Sequence, residues 1–295
     1  MKKVPLFEGS AVALVTPFNE TGVDFDALEK LLEYQIGGNT DAIVICGTTG
    51  EPATMTSEEK QKVISFCIEK VNKRCPVIVG TGSNNTKCAI ENAVFANKEG
   101  ADGLLVVTPY YNKCTQNGLI NYYFSIADNV DIPIIAYNVP GRTGVNILPK
   151  TAEKLFEHKN INGIKEASSN IDQVTDIASR IGGKGFLYSG DDGLILPIMA
   201  LGGKGVISVA ANIIPSIINE LTKSVIDGNY LKGRELQLKI YPLIKALFSE
   251  VNPIPVKYAL SKMNFCKNIL REPLTPLEKN NEELVDVHLK AFNLI

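Results

Sequence analysis

Asn160-Ile-Asn-Gly-Ile-Lys-Glu-Ala-Ser-Ser169 reads as a helix exit followed by a short buried strand, 161–166, with a lysine at its C-terminal end. An ammonium ion is costly to bury, so Lys165 in an apolar run has two readings. In one, it snorkels to water along its aliphatic stem. In the other, burial lowers its pKa and frees the amine as a nucleophile toward carbonyl carbon. Position alone does not choose between them; the rest of the chain bears on the choice.

Seven further apolar runs accompany this one, at 11–15, 42–46, 77–80, 103–107, 134–137, 186–189 and 205–209. They are rich in valine and isoleucine and do not alternate with polar residues, which is how parallel strands covered on both faces read. Helical patterns lie between them. Leu28, Leu31, Leu32 and Gln35 make one stripe; Val63, Ile64, Cys67, Ile68 and Val71 make another, with Ser57 as the expected cap and Glu58 and Glu59 in the first turn. Gly37-Gly38, Gly100, Gly182-Gly183 and Gly202-Gly203 are expected to close helices in the left-handed conformation. The pattern predicts an α/β fold, a (β/α)8 TIM barrel over residues 1–227. Its rival is an open doubly wound sheet. A count of eight, with no break in strand order, favours the barrel. Beyond residue 227 only helical patterns follow, at 230–250, 255–263 and 276–292, so residues 228–295 are expected to form a C-terminal three-helix extension packed on the barrel.

The totals exclude several classes. The chain of 295 residues is 45% hydrophobic and 21% charged with a net charge of -2, which implies no broad attraction to nucleic acid or anionic membrane. No apolar run reaches the roughly 18 residues of a membrane span, and no signal-peptide core is expected at the N-terminus. Six scattered cysteines with no Cys-x-x-Cys pair favour reduced thiols and a cytoplasmic setting. With only two histidines, His158 and His288, a zinc site and a Ser-His-Asp triad are poorly supported. Acid–base chemistry then falls to tyrosine, lysine or a carboxylate.

In a barrel, the residues that follow each strand converge on one rim. Those residues are Gly47-Thr48-Thr49-Gly50-Glu51, Thr108-Pro-Tyr-Tyr111-Asn112, Tyr137 through Gly144, Lys165-Glu166, Ser189-Gly190-Asp191-Asp192 and Ile207-Ser208. Lys165 supplies an amine, Tyr137 and Tyr111 phenols, and Thr48 a hydroxyl, enough for a proton relay. Backbone N–H groups of the Thr48-Thr49 turn suit one carboxylate, and Arg142 suits a second in a bidentate fork. That set fits Schiff-base chemistry on a keto acid and requires neither metal nor organic cofactor. Bland readings stand beside it: a tight turn at Gly47-Thr-Thr-Gly50, wall aromatics at Tyr110-Tyr111, a surface arginine at Arg142. Asp191 and Asp192 are expected to cap the next helix, and Glu166 to be a structural ion-pair partner facing away from Lys165. The paired Gly-Gly-Lys-Gly turns at 182–185 and 202–205 read as equivalent helix-to-strand turns, with phosphate binding as the alternative. Gly80-Thr-Gly82 lacks the third glycine of a dinucleotide fingerprint.

Together, Gly47-Thr-Thr-Gly-Glu51, Pro109-Tyr-Tyr-Asn112, Tyr137-Asn-Val-Pro140, Arg142-Thr-Gly144, Gly163-Ile-Lys-Glu166, Ser189-Gly-Asp-Asp192, Gly205-Val-Ile-Ser208 and Asn252-Pro-Ile-Pro-Val-Lys257 resemble the dihydrodipicolinate synthase family, from about Gly9 to the C-terminus. The resemblance implies that Lys165 forms a Schiff base with pyruvate and that Tyr137 is the proton donor and acceptor beside it. It implies that Thr48 and Tyr111 complete the relay, the tyrosine reaching a neighbouring subunit. It also implies pyruvate binding at Thr49 and Ile207, with Gly190 among the substrate-binding positions, and a carboxylate of aspartate semialdehyde at Arg142. A homotetramer built as a dimer of dimers follows, as does the first step committed to diaminopimelate and lysine. Sister lyases, N-acetylneuraminate lyase or a keto-sugar-acid aldolase, share the lysine and tyrosine; Arg142-Thr-Gly144 is the discriminator. Feedback-inhibited members of the family hold lysine through histidines and a glutamate; Ser57, Lys60 and Cys88 stand in the corresponding places here. Weak or absent inhibition by lysine is therefore expected.

Overall fold

A computed structural model describes residues 3–295. Eight parallel strands, β1 (Gly9–Ala13), β2 (Ala42–Ile45), β3 (Val77–Gly80), β4 (Gly103–Val107), β5 (Ile134–Asn138), β6 (Ile161–Glu166), β7 (Phe186–Ser189) and β8 (Gly205–Ser208), close in sequence order. β1 pairs with both β2 and β8, which completes the ring and rules out the open sheet. The first strand starts two residues earlier than its apolar run, because Gly9 lies against Gly205 and donates to Lys204 O.

Each strand is apolar on both faces because both are covered. Ile43 and Ile45 of β2 face the helices; Ala42 and Val44 face the barrel interior with Ala11, Ile78, Leu105, Ile135 and Ile207. Phe7 closes the interior at the N-terminal end of the strands. It stacks on Tyr188 at 4.5 Å, and the Tyr188 hydroxyl donates to Phe7 O at 3.0 Å.

The helices are α1 (Phe25–Gly37), α2 (Ser57–Val71), α3 (Thr86–Glu99), α4 (Gln116–Ala127), the short α5 (Pro140–Thr143), α6 (Pro149–Leu155), α7 (Ile171–Ile181), α8 (Ile195–Ala200) and α9 (Pro215–Ile226). Two expected helix ends need correcting. Thr56, not Ser57, caps α2: its hydroxyl accepts from Glu59 N, and the Glu59 carboxylate returns to Thr56 N at 2.9 Å. At the end of α1, Gly38 has φ -85°, and Asn39 is the left-handed residue at φ 60°. Gly100, Gly182 and Gly202 do take positive φ. Gly182–Gly183 and Gly202–Gly203 lead into β7 and β8 at the end of the barrel opposite its rim, as equivalent turns would.

Three helices follow α9: α10 (Tyr230–Leu247), α11 (Ile254–Lys262) and α12 (Lys279–Ala291). A fully buried pair fastens this segment to the loop after β2. Lys257 Nζ lies 2.5 Å from Glu51 Oε1, donates to Ile269 O at 2.8 Å, and sits 4.1 Å from the Phe18 ring centroid. Arg271 N donates to the other Glu51 oxygen at 3.1 Å. Phe18 belongs to a small antiparallel ribbon, Phe18–Asn19 with Gly22–Val23, that the sequence reading had not included. Burial lowers the Lys257 pKa and the Glu51 charge opposes that shift.

Removing one partner of a buried pair leaves the other charge uncompensated. Lys257→Ala is expected to destabilise the fold by about 3–5 kcal/mol in urea unfolding, with the Glu51→Leu/Lys257→Met double variant losing much less. A Lys257→Ala protein as stable as wild type would show that the pair does not anchor the segment.

Candidate active site

At the C-terminal ends of the strands lies a cavity of about 450 Å³. Strand alternation places Ile164 outward and Lys165 inward, at the end of β6. Lys165 is 5% exposed, and its Nζ stands 4.2 Å from the centroid of the Tyr137 ring. The electron-rich ring face favours a cation there without offering it a counter-charge. Gly190 makes room for the lysine stem, since a Cβ at that position would lie 2.9 Å from Lys165 Cε. Burial pushes the Lys165 pKa down to about 7; the Asp192 charge opposes the shift and Arg142 adds to it. A large share of this amine is therefore neutral at neutral pH.

Tyr137 pairs in register with Lys165 across β5 and β6. Burial raises its pKa, while the Arg142 charge and the Thr48 hydroxyl favour the phenolate. It thus stays a phenol with neighbours that ease transient loss of its proton. Thr48 and Thr49 line the cavity from a one-turn 3-10 helix, Thr48–Gly50, whose first N–H groups have no partner within the turn. The chain enters this turn through Cys46 at φ 52°, and Gly80 admits the close approach: a Cβ there would lie 2.1 Å from Cys46 O.

The cavity brings together Lys165, Tyr137, Thr48, Thr49, Arg142 and Gly190. Two other expected residues are placed elsewhere. Ile207 packs in the barrel interior, and Val209 is the residue after β8 that lines the cavity. Tyr111 is 91% exposed, at φ 70°, on the outer surface.

Asn252, the first residue of the Asn252-Pro-Ile-Pro-Val-Lys257 motif, is a residue of the site that strand ends do not reveal. It lies between β-barrel rim and α11, and its side-chain amide donates to Thr49 Oγ1 at 3.0 Å. Its carbonyl accepts from Arg142 Nη2 at 3.0 Å, so one residue holds both candidate anion clamps. Tyr241, Ile244 and Lys245 of α10, with Phe248 just after it, supply a wall that strand-end reasoning did not reach.

Two carboxylates behave differently from expectation. Asp191 does cap, accepting from Gly193 N at 2.9 Å. Asp192 does not: it is buried and accepts from Val209 N at 3.0 Å and Ala210 N at 2.9 Å, tying the β7 and β8 loops together. Glu166 is no ion-pair partner. It accepts from Ser168 N at 2.7 Å and Asn138 Nδ2 at 2.9 Å, and burial raises its pKa against these neutral donors. Among the described residues, no group of three or more His, Cys, Asp or Glu is placed to hold a metal ion, and no helix is long and apolar enough to cross a membrane.

The sequence pattern of the dihydrodipicolinate synthetase family matches residues 6–292. The 4-hydroxy-tetrahydrodipicolinate synthase of Thermoanaerobacter sp. (strain X514) is 54% identical over 294 residues, 99% of each chain. Synthase 1 of Clostridium acetobutylicum is 52% identical, over 98% of this chain and 99% of its own. The crystal structure of dihydrodipicolinate synthase from Aquifex aeolicus superposes with TM-score 0.96 at 46% identity, covering 98% of this chain and 99% of that one. The chloride-inhibited enzyme from Acinetobacter baumannii, complexed with pyruvate, gives TM-score 0.96 at 45% identity with the same coverage. On the full-length match, the identity above 50% and the shared barrel, the chain belongs to the dihydrodipicolinate synthetase family.

Proposed function

We propose that this protein condenses pyruvate with aspartate 4-semialdehyde to give 4-hydroxy-tetrahydrodipicolinate, the first committed step toward diaminopimelate and lysine. One observation carries the reading: a buried amine, held near neutrality of charge, lies against the Tyr137 phenol in a cavity that also holds Arg142. The names of the relatives support the same reaction.

The chemistry follows from these groups. The Lys165 amine adds to the pyruvate ketone and water leaves, giving an iminium carbon bonded to nitrogen. The iminium acidifies the adjacent methyl, and loss of a proton gives an enamine. The enamine carbon attacks the aldehyde, whose oxygen takes up a proton and becomes the 4-hydroxyl. The substrate's own amine then attacks the former ketone carbon. A proton passes from the incoming to the departing nitrogen, and Lys165 is released. Each transfer needs a group within hydrogen-bond reach, the role assigned to Tyr137 with Thr48 as relay. Thr49 and the turn N–H groups receive the pyruvate carboxylate, with Ile207 packing beneath and Gly190 leaving space; Arg142 receives the carboxylate of the aldehyde.

Tyr111 serves the site of a second copy in this reading, which its near-complete exposure supports. Exposed Leu231 and Leu238 of α10 support further association, into a homotetramer, and scattered cysteines with no Cys-x-x-Cys pair suit a cytoplasmic setting. A polyol sugar acid has no use for a cation at Arg142, so the sister-lyase alternative is disfavoured.

Incubation with pyruvate and borohydride is expected to leave a stable adduct on Lys165, read by peptide mass; equal labelling of Lys165→Ala would refute the assignment. Only the neutral amine attacks, so the initial trapping rate is expected to rise with pH through about 7 and then level off. A rate still climbing at high pH would mean an ordinary lysine. Tyr137→Phe is expected to lower turnover by about 10²–10⁴-fold while pyruvate still binds; near-normal turnover removes Tyr137 from the mechanism. Ser57, Lys60 and Cys88 offer lysine a cation and no carboxylate, so steady-state assays are expected to show no submillimolar inhibition by lysine.

A further inference from the structure

We propose that Asp191, oriented by Ser169, receives the ammonium group of the amino-aldehyde substrate and makes the site select an aldehyde that carries an amine. This assignment rests on the condensation reading above and concerns a group for which that reading gives no partner.

The charges around the cavity carry the argument. Beside the Lys165 amine its walls hold two cations, Arg142 and Lys245, and Asp191 is the one carboxylate among its lining residues. Aspartate semialdehyde bears a carboxylate and an ammonium on the same carbon. Once Arg142 takes the carboxylate, the ammonium lies within a few ångströms of that guanidinium. Without an acceptor it faces like charge in a partly dry cavity, which disfavours binding. Asp191 is the available counter-charge.

Its carboxylate is held in place and still has capacity. Oδ1 accepts from Gly193 N at 2.9 Å and Oδ2 from the Ser169 hydroxyl at 3.0 Å. Asp191 N donates to Ser189 Oγ at 3.2 Å. Two accepted bonds leave about half of the acceptor positions of a carboxylate open. Ser169 also lines the cavity and adopts φ 57°, a left-handed conformation that a serine takes up at some strain. Asp191 follows directly after Gly190, the residue packed on the Lys165 stem. An ammonium held at Asp191 therefore lies on the Lys165 side of the cavity, where, after giving up a proton, the neutral amine can attack the carbon bonded to the Lys165 nitrogen.

The test compares aspartate semialdehyde with 4-oxobutanoate, which has the same aldehyde and carboxylate but no amine. For Asp191→Asn, KM for aspartate semialdehyde is expected to rise about ten- to a hundred-fold, the range of one charge-assisted hydrogen bond. The inhibition constant of 4-oxobutanoate, KM for pyruvate and borohydride trapping at Lys165 are expected to stay within about two-fold, well below that range. Ser169→Ala, which leaves the carboxylate in place, is expected to shift the same ratio in the same direction by a smaller factor. An unchanged KM for aspartate semialdehyde in Asp191→Asn overturns the assignment. So does a parallel loss of affinity for 4-oxobutanoate, which marks a structural role. Wild-type protein that traps pyruvate but turns over no aspartate semialdehyde overturns the condensation reading and this assignment together, and is recognised before any variant is made.

Discussion

Withdrawing the Lys165 amine from water is the constraint to which the rest of the cavity answers. An ordinary lysine is fully cationic at neutral pH and is a poor nucleophile in that state. Burial at the end of β6 brings the pKa down to about 7, and the surroundings hold it there. The Tyr137 ring accepts the ammonium on its face, Gly190 lets the stem pass, and buried Asp192 keeps the shift from going further. Asp192 meets a second demand as well, because its carboxylate fixes two backbone N–H groups beyond β8. Chemistry and loop closure thus depend on the same buried groups.

The candidate anion clamps depend on a different part of the chain. Thr49 stands after β2 and Arg142 after β5, yet both are held by Asn252. Two residues beyond Thr49, Glu51 meets Lys257, five residues beyond Asn252. The 252–257 stretch therefore spans from the cavity wall to the ion pair beneath it. Geometry at the barrel mouth is set jointly by strand-end loops and by a segment that contributes no strand.

The strands were legible because both faces of a parallel barrel strand are covered, which leaves continuous Val- and Ile-rich runs. β3, β4, β6 and β7 coincide with their runs, and the others differ by one or two residues where pairing rather than side-chain type sets the end. Lys165, Tyr137, Thr48, Thr49, Arg142 and Gly190 were legible because a barrel gathers strand-end residues on one rim. Asn252 and the α10 wall were not, since nothing local in a helical stretch tells which side of the barrel it will cover. Glu166 and Asp192 were misjudged for a shared reason: the partners of a buried carboxylate here are backbone and amide N–H groups, which carry no signature in residue type. Tyr111 is exposed and does not line its own cavity, and only the family resemblance gave it a use.

The placement of Asn252 and Lys257 near the end of the chain sets an order of events during synthesis. A nascent polypeptide that has emerged only as far as α10 already contains all eight strands. It has no donor for Thr49 from residue 252 and no cation for Glu51 from residue 257. Such a product, whether still attached to the ribosome or truncated, carries Lys165 but lacks the contacts that hold Thr49 and Glu51 in place. Both contacts therefore wait for residues 252–257, so the loop after the second strand is fastened only when chain beyond α10 has folded back onto a barrel that already has all its strands.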